Sequence, residues 1–159
     1  MDDPPQQTQL PYEKSYKENM RDSLVFQVVF AESFGIAQGG HALSEELQKQ
    51  WVDVFTELNH ISRKTAYGIL EEAKHILSRT GVLDDLLSGC SEGYSLDRVT
   101  KLELGILRCA ASRHLAQKED SIPYAMELCK KYGAETSFVY AVLKTLNERE
   151  APGDPPQGS

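Results

Sequence analysis

The chain has few of the residues that stabilise small secreted or metal-binding domains. Its 159 residues include three cysteines, Cys90, Cys109 and Cys129, which are widely spaced and form no Cys-x-x-Cys pair. An odd number of cysteines at such spacing predicts neither a disulfide framework nor a zinc site. We therefore expect a reducing compartment, the cytoplasm, and a core that is stable without cross-links or metal.

Long apolar runs and an excess of positive charge are also missing. No stretch of 18 apolar residues occurs, and the first residues lack the charged and apolar regions of a signal peptide. We therefore expect no membrane association. The net charge is -7, with 17 Lys and Arg against 24 Asp and Glu. Any RNA-binding site must be a local basic patch, because the protein as a whole repels nucleic acid.

The two ends of the chain differ in composition from the part between them. Residues 1–11 contain three prolines, three glutamines and two aspartates, and residues 150–159 are rich in proline and glycine. Neither segment has enough apolar surface to offset the entropy lost on ordering. This composition predicts a disordered tail on each side of one domain at 12–149.

Between the tails, apolar residues recur at helical spacing almost throughout, which predicts an all-α bundle with short connections. Ser44 is placed to cap the second helix, and Gly81 to end the third. The second helix should bury one face, made of Leu47, Trp51, Val54, Phe55 and Leu58. About seven helices are predicted, at 12–34, 44–59, 62–80, 82–87, 96–116, 121–133 and 136–148.

The sequence contains no recognisable catalytic or cofactor-binding motif. The four histidines fall on different predicted elements and form no HExxH motif. Adjacent acids point about 100° apart on a helix, so they do not converge as an acid/base pair would. The glycine clusters lack the Lys-Ser/Thr ending of a phosphate loop. We therefore expect no enzyme activity, no metal site and no cofactor.

The basic residues near the start of the first helix are more suggestive. Lys14, Lys17 and Arg21 occur at i, i+3 and i+7, which places three cations along one stripe of the helix. Tyr12 and Tyr16 are close by, and such a stripe can bind phosphates while an aromatic ring stacks on an unpaired base. Acidic residues are interleaved with the cations, so an ordinary solvated face is the alternative.

Residues 96–110 resemble a motif of the NusB family of transcription antitermination factors. The family pattern is close to Leu-Asp-Arg-x-x-x-Val-Glu-Arg-Ala-Ile-Leu-Arg-x-Ala, and this chain reads Leu-Asp-Arg-Val-Thr-Lys-Leu-Glu-Leu-Gly-Ile-Leu-Arg-Cys-Ala. Two further blocks, at 122–133 and 138–143, resemble later family motifs in the same order, which makes the resemblance more specific. Within the first block, Asp97 and Arg108 should hold helices together through hydrogen bonds.

The resemblance implies a compact all-helical fold and a binding function rather than a reaction. Family members pair with NusE, a small-subunit ribosomal protein, and hold boxA-type nascent RNA. They act in the RNA polymerase elongation complex with other Nus factors, notably on rRNA operons. By position, the resemblance implies Glu103 for partner binding. For RNA binding it implies Lys14, Lys17, Arg21, Tyr132 and Phe138.

The chain departs from the family at the start of the first helix. Residues 17–21 read Lys-Glu-Asn-Met-Arg where the family has a dense arginine cluster. About three phosphate contacts are then expected, with a single-strand salt slope on the order of -2. One alternative is a protein-only helical module of the transcription machinery with little RNA binding. Another is a piece of an rRNA cytosine methyltransferase, although the chain leaves no room after its last helix for a cofactor-binding sheet.

Overall fold

The structure is a computed structural model that describes residues 16–37, 43–91, 96–116 and 120–149. Within these ranges the chain forms seven α-helices, one 3-10 helix at Leu96–Arg98, and no strand, which confirms the predicted all-α fold. The predicted tails, 1–11 and 150–159, lie outside the described residues. The helices are α1 (Tyr16–Ala37), α2 (Glu45–Asn59), α3 (Arg63–Ser78), α4 (Thr80–Ser88), α5 (Lys101–Leu115), α6 (Ser121–Tyr132) and α7 (Thr136–Arg149).

Helix α5 is the centre of the bundle, with α1, α4, α6 and α7 packed around it. Its apolar residues face several directions, and Ile106, Leu107 and Ala110 are fully buried. Gly105 permits close packing on α1, because a Cβ atom at this position would lie 3.1 Å from the Phe26 ring. The first family-like block is therefore mainly a packing element.

Side-chain caps fix where several helices begin. The hydroxyl oxygen of Ser44 accepts a hydrogen bond from the Leu47 N–H at 3.2 Å, which confirms the predicted cap of α2. Thr100 caps α5 in the same way, since its hydroxyl accepts from the Glu103 N–H at 3.0 Å. Each cap satisfies one of the backbone donors that a helix start leaves unpaired.

Two glycines that directly follow predicted helix ends, at 34 and 80, lie inside helices instead. Helix α1 continues past Gly35 to Ala37, and Gly81 lies in the first turn of α4. Only Arg79 separates α3 from α4, so the predicted end at Gly81 is wrong. Burial of Leu83 and Leu87 on α4 outweighs the roughly 1 kcal/mol that an internal glycine costs.

Helix α2 turns a different face towards the bundle from the one that was predicted. It packs mainly against α3 at the edge of the bundle and buries Phe55, as expected, together with Val52. Val54 is 44% exposed and Leu58 is 71% exposed, so the prediction that these two belong to the core is wrong. The spacing correctly identified an apolar face, but only part of that face meets the rest of the bundle.

The expected structural role of Arg108 is confirmed. Its guanidinium donates from Nε and Nη2 to the two carboxylate oxygens of Asp84, each at 2.8 Å, and so joins α5 to α4. The Arg108 side chain is 14% exposed and that of Asp84 is 31% exposed. The side chain of Asp97 lies outside what the structure describes.

Candidate nucleic-acid interface

The first turns of α1 present an aromatic and a cationic side chain to solvent. Tyr16 is 77% exposed, and Lys17 beside it is also exposed. Met20, one turn later, is partly buried and packs against the core. Lys14, the first member of the predicted basic stripe, lies outside the described residues.

A groove of about 460 Å³ runs between the start of α1 and the turn that joins α2 to α3. Lys17 and Arg21 line it from α1, and Met20, Ile61 and Ile69 give it an apolar part. Its volume falls in the range of roughly 300 to 1,000 Å³ that is usual for small-molecule sites. The groove therefore combines cations with apolar surface, which is the combination that an unpaired nucleotide requires.

The turn between α2 and α3 forms the opposite wall of the groove. His60 adopts the left-handed conformation, with φ 54° and ψ 43°, and ends α2. Ser62 then caps α3, and its hydroxyl accepts from the Thr65 N–H at 3.1 Å. The start of α3 therefore lines the groove, and the partial positive charge of a helix N-terminus favours an anion there.

Arg21 connects α1 to α3 as well as lining the groove. Its Nε and Nη2 atoms donate to Oε1 of Glu72 at 3.2 and 3.0 Å, and Nη2 also donates to the Gly68 carbonyl at 3.3 Å. The two charged side chains are 41% and 39% exposed. A phosphate that used this edge of Arg21 would have to compete with Glu72.

Tyr132, which the family resemblance also implies for RNA binding, is held against α1. Its hydroxyl accepts from Nε2 of Gln27 at 2.8 Å and forms a further hydrogen bond with the Ser23 hydroxyl. Its ring packs on Phe26, with the ring centres 5.0 Å apart. Gly133, with φ 76°, then turns the chain into α7. Tyr132 thus stabilises the contact between α6 and α1, and its role in RNA binding stays a prediction.

Other residues near the turn between α6 and α7 divide between core and solvent. Phe138, in the first turn of α7, is partly buried and packs against the core. Lys130 and Lys131 are exposed in the last turn of α6, and the Lys131 ammonium lies 6.0 Å from the centre of the Tyr132 ring. One exposed cation, Lys131, therefore lies next to an aromatic ring whose hydroxyl is already hydrogen-bonded.

Tyr16, at the edge of the groove, lies on the same face of α1 as the two residues that contact Tyr132. Tyr16, Ser23 and Gln27 are spaced at i, i+7 and i+11, so they share a face of the helix, and Tyr132 binds the last two. Along the axis, Tyr16 is about 10 Å from Ser23.

Glu103, the predicted partner-binding residue, lies in the first turn of α5 and is 8% exposed. Burial, and then the negative charge of Glu103, raises the pKa of Cys129 on α6 to about 11. A partner would reach only a small part of this carboxylate directly. The role assigned to Glu103 stays a prediction.

Sequence reasoning missed the far wall of the groove. It treated His60 as an ordinary histidine, used Ser62 only as the start of the third helix and did not single out Ile61, because no local pattern connects this turn with the start of α1. Among the described residues, no group of three or more His, Cys, Asp or Glu side chains is arranged to hold a metal ion. No helix in the described part of the chain is long and apolar enough to cross a membrane.

The fold defines an all-helical protein in which surrounding helices enclose a central one. Over 144 residues the chain is 30% identical to the transcription antitermination protein NusB of Pseudothermotoga lettingae, covering 86% of this chain and 94% of that relative. The chain belongs to the NusB family.

Two further relatives carry the same name. NusB of Lachnoclostridium phytofermentans is 30% identical over 106 residues, covering 62% of this chain and 79% of its own. NusB of Agathobacter rectalis is 29% identical over 134 residues, covering 76% and 88%. No family model matches the chain, and no solved structure matches it either.

Proposed function

We propose that this protein is an RNA-binding transcription antitermination factor. In this role it pairs with NusE and binds boxA-type nascent RNA in the RNA polymerase elongation complex with other Nus factors, supporting rRNA operon transcription. Membership of the NusB family supports antitermination, since the relatives are named for it. The observation that carries the RNA-binding part is the groove lined by Lys17, Arg21 and the start of α3.

The groove suggests how a single strand is held. A backbone phosphate binds between the exposed ammonium of Lys17 and the N-terminus of α3, where both electrostatic contributions are favourable. A neighbouring base stacks on the exposed ring of Tyr16. The strand then follows α1 towards Lys130 and Lys131 at the end of α6.

The charge of the protein limits the strength of this binding. Because the net charge of the protein is -7, electrostatic attraction of RNA is confined to the groove and the end of α6. In addition, Glu72 already neutralises part of Arg21. We expect weak binding by the isolated protein and stronger binding with NusE, which occupies a surface that includes the start of α5 near Glu103.

Fluorescence anisotropy with labelled boxA-type RNA, with and without NusE, tests the proposal. Lys17→Glu is the informative variant, because Lys17 is exposed and its replacement leaves the contact between Arg21 and Glu72 intact. It should weaken RNA binding and reduce the magnitude of the salt slope by about one. Lys144→Glu on α7 makes the same charge change at another exposed lysine and should have little effect.

The second candidate is a protein-only helical module, which the overall charge and the engagement of Arg21 by Glu72 favour. It predicts NusE binding that Lys17→Glu does not change, together with no RNA binding even at low salt. Absence of binding to both RNA and NusE would overturn the two candidates together.

A further inference from the structure

Helix α2 presents an apolar stripe on its outer side, formed by Leu47, Trp51, Val54 and Leu58. Their spacing of i, i+4, i+7 and i+11 puts them on one face. Val54 and Leu58 are 44% and 71% exposed, and the other two are partly buried. The α2 stripe spans 12 residues, and the 11 rises of 1.5 Å between its ends correspond to about 16 Å. It is large enough to serve as a binding surface for a second helix.

The N-terminal part of the α2 stripe forms a shallow depression of about 240 Å³. Leu47, Trp51 and Val54 line it, together with Glu32 from α1. The Trp51 indole N–H donates to Oε2 of Glu32 at 3.0 Å, which fixes the ring in place. A fixed aromatic ring in an apolar depression loses little entropy on binding and is typical of the central residues of protein interfaces.

A row of acidic side chains runs beside the α2 stripe. Glu46, Asp53 and Glu57 each precede a stripe residue by one position, so the row is parallel to the stripe, and all three are exposed. Asp53 is paired with Arg63 at 3.0 Å. Glu46 and Glu57 form no ion pair within the described ranges of the chain, so the edge of the stripe is negatively charged.

We infer that the α2 stripe binds an amphipathic helix of a partner protein, one that carries lysine or arginine beside its apolar face. Apolar residues at helical spacing match the anchors of such a helix. The acidic row attracts its cations and repels RNA. A second copy of this chain fits less well, because antiparallel two-fold pairing of the stripe would place two acidic rows side by side. The RNA groove meets α2 only at its last residue, Asn59, so this inference is independent of RNA binding.

Intrinsic fluorescence can test the inference, because Trp51 is the only tryptophan of the chain. The probe is a synthetic tryptophan-free helical peptide with leucines along one face and lysines at the flanking positions. Saturable binding that shifts Trp51 emission to shorter wavelength is expected. A peptide with glutamate in place of every lysine should bind at least about tenfold more weakly.

Two matched variants locate the binding surface. Val54→Glu should weaken binding of the lysine-flanked peptide about tenfold, since it places a charge in the apolar contact. Val82→Glu makes the same change at another exposed valine, 55% exposed on α4, and should leave the affinity unchanged. Because both positions are exposed, circular dichroism should show that both variants retain the fold.

Three results would overturn the inference: no saturable shift, equal affinity for the two peptides, or equal weakening by Val54→Glu and Val82→Glu. Sedimentation velocity supplies a further criterion. Self-association that Val54→Glu abolishes would assign the α2 stripe to a second copy instead. RNA binding, measured in parallel, should not change in Val54→Glu, which separates this test from that of the groove.

Discussion

Helices α2 and α5 both carry regularly spaced apolar residues, yet the fold uses them differently. Helix α5 is apolar on most sides and lies inside the bundle, where Ile106 and Leu107 are fully buried. Helix α2 is apolar on one face only and lies at the edge, where Val54 and Leu58 remain exposed. Regular apolar spacing therefore identifies a helix face. It does not say whether the same chain or another molecule covers that face.

A matched pair of leucine truncations tests this comparison most directly. Leu107→Ala should lower the free energy of unfolding by about 3 kcal/mol, through lost burial and the cavity left behind. Leu58→Ala should change it by less than about 0.5 kcal/mol, since its side chain is 71% exposed. Urea denaturation followed by circular dichroism measures both. Equal losses would mean that α2 is covered by its own chain in solution.

Thiol reactivity sharpens the same contrast. Burial raises the pKa of Cys109 on α5 to about 12, so in the folded state this thiol stays neutral at pH 9. Alkylation by iodoacetamide at that pH should be at least about a hundredfold slower for Cys109 than for a cysteine introduced by Val54→Cys on α2.

The raised pKa of Cys109 also has a consequence for stability. The unfolded thiol loses its proton near pH 9 and the folded one only near 12. The folded state therefore holds more protons in this window, and its stability falls as the pH rises from 9 to 12. Cys109→Ala should reduce that alkaline loss. Rapid alkylation of native Cys109 would contradict the buried position of this part of α5.

Two arginine–aspartate pairs allow a smaller test. Arg108→Ala should cost about 2 kcal/mol, because it leaves the partly buried carboxylate of Asp84 without its bidentate partner. Arg63→Ala, which breaks the exposed pair with Asp53 beside α2, should cost less than about 0.5 kcal/mol. Thermal unfolding of the two variants compares them. Similar melting temperatures would show that the contact between α4 and α5 contributes little.

Much of the fold could be predicted from sequence because its determinants are local. Ser44 begins a helix by accepting a hydrogen bond from an amide three residues later, and the apolar pattern of 101–115 predicts the buried helix that the structure contains. The groove depends on contacts between distant segments. Lys17 and His60 line the same groove only because α1 packs on α3. The pairing of Arg21 with Glu72 follows from the same packing. No local pattern contains this information.

The junction of α3 and α4 has a consequence for how the protein opens. The Arg79 N–H bonds to the carbonyls of Ile76 and Leu77, and its own carbonyl accepts from the Leu83 N–H at 2.9 Å. Arg79 therefore shares in the backbone hydrogen bonding of both helices, through its N–H at the end of α3 and through its carbonyl at the start of α4. Amide exchange should thus report α3 and α4 as one cooperative unit, so that the wall of the groove and the support of α5 are lost in a single step.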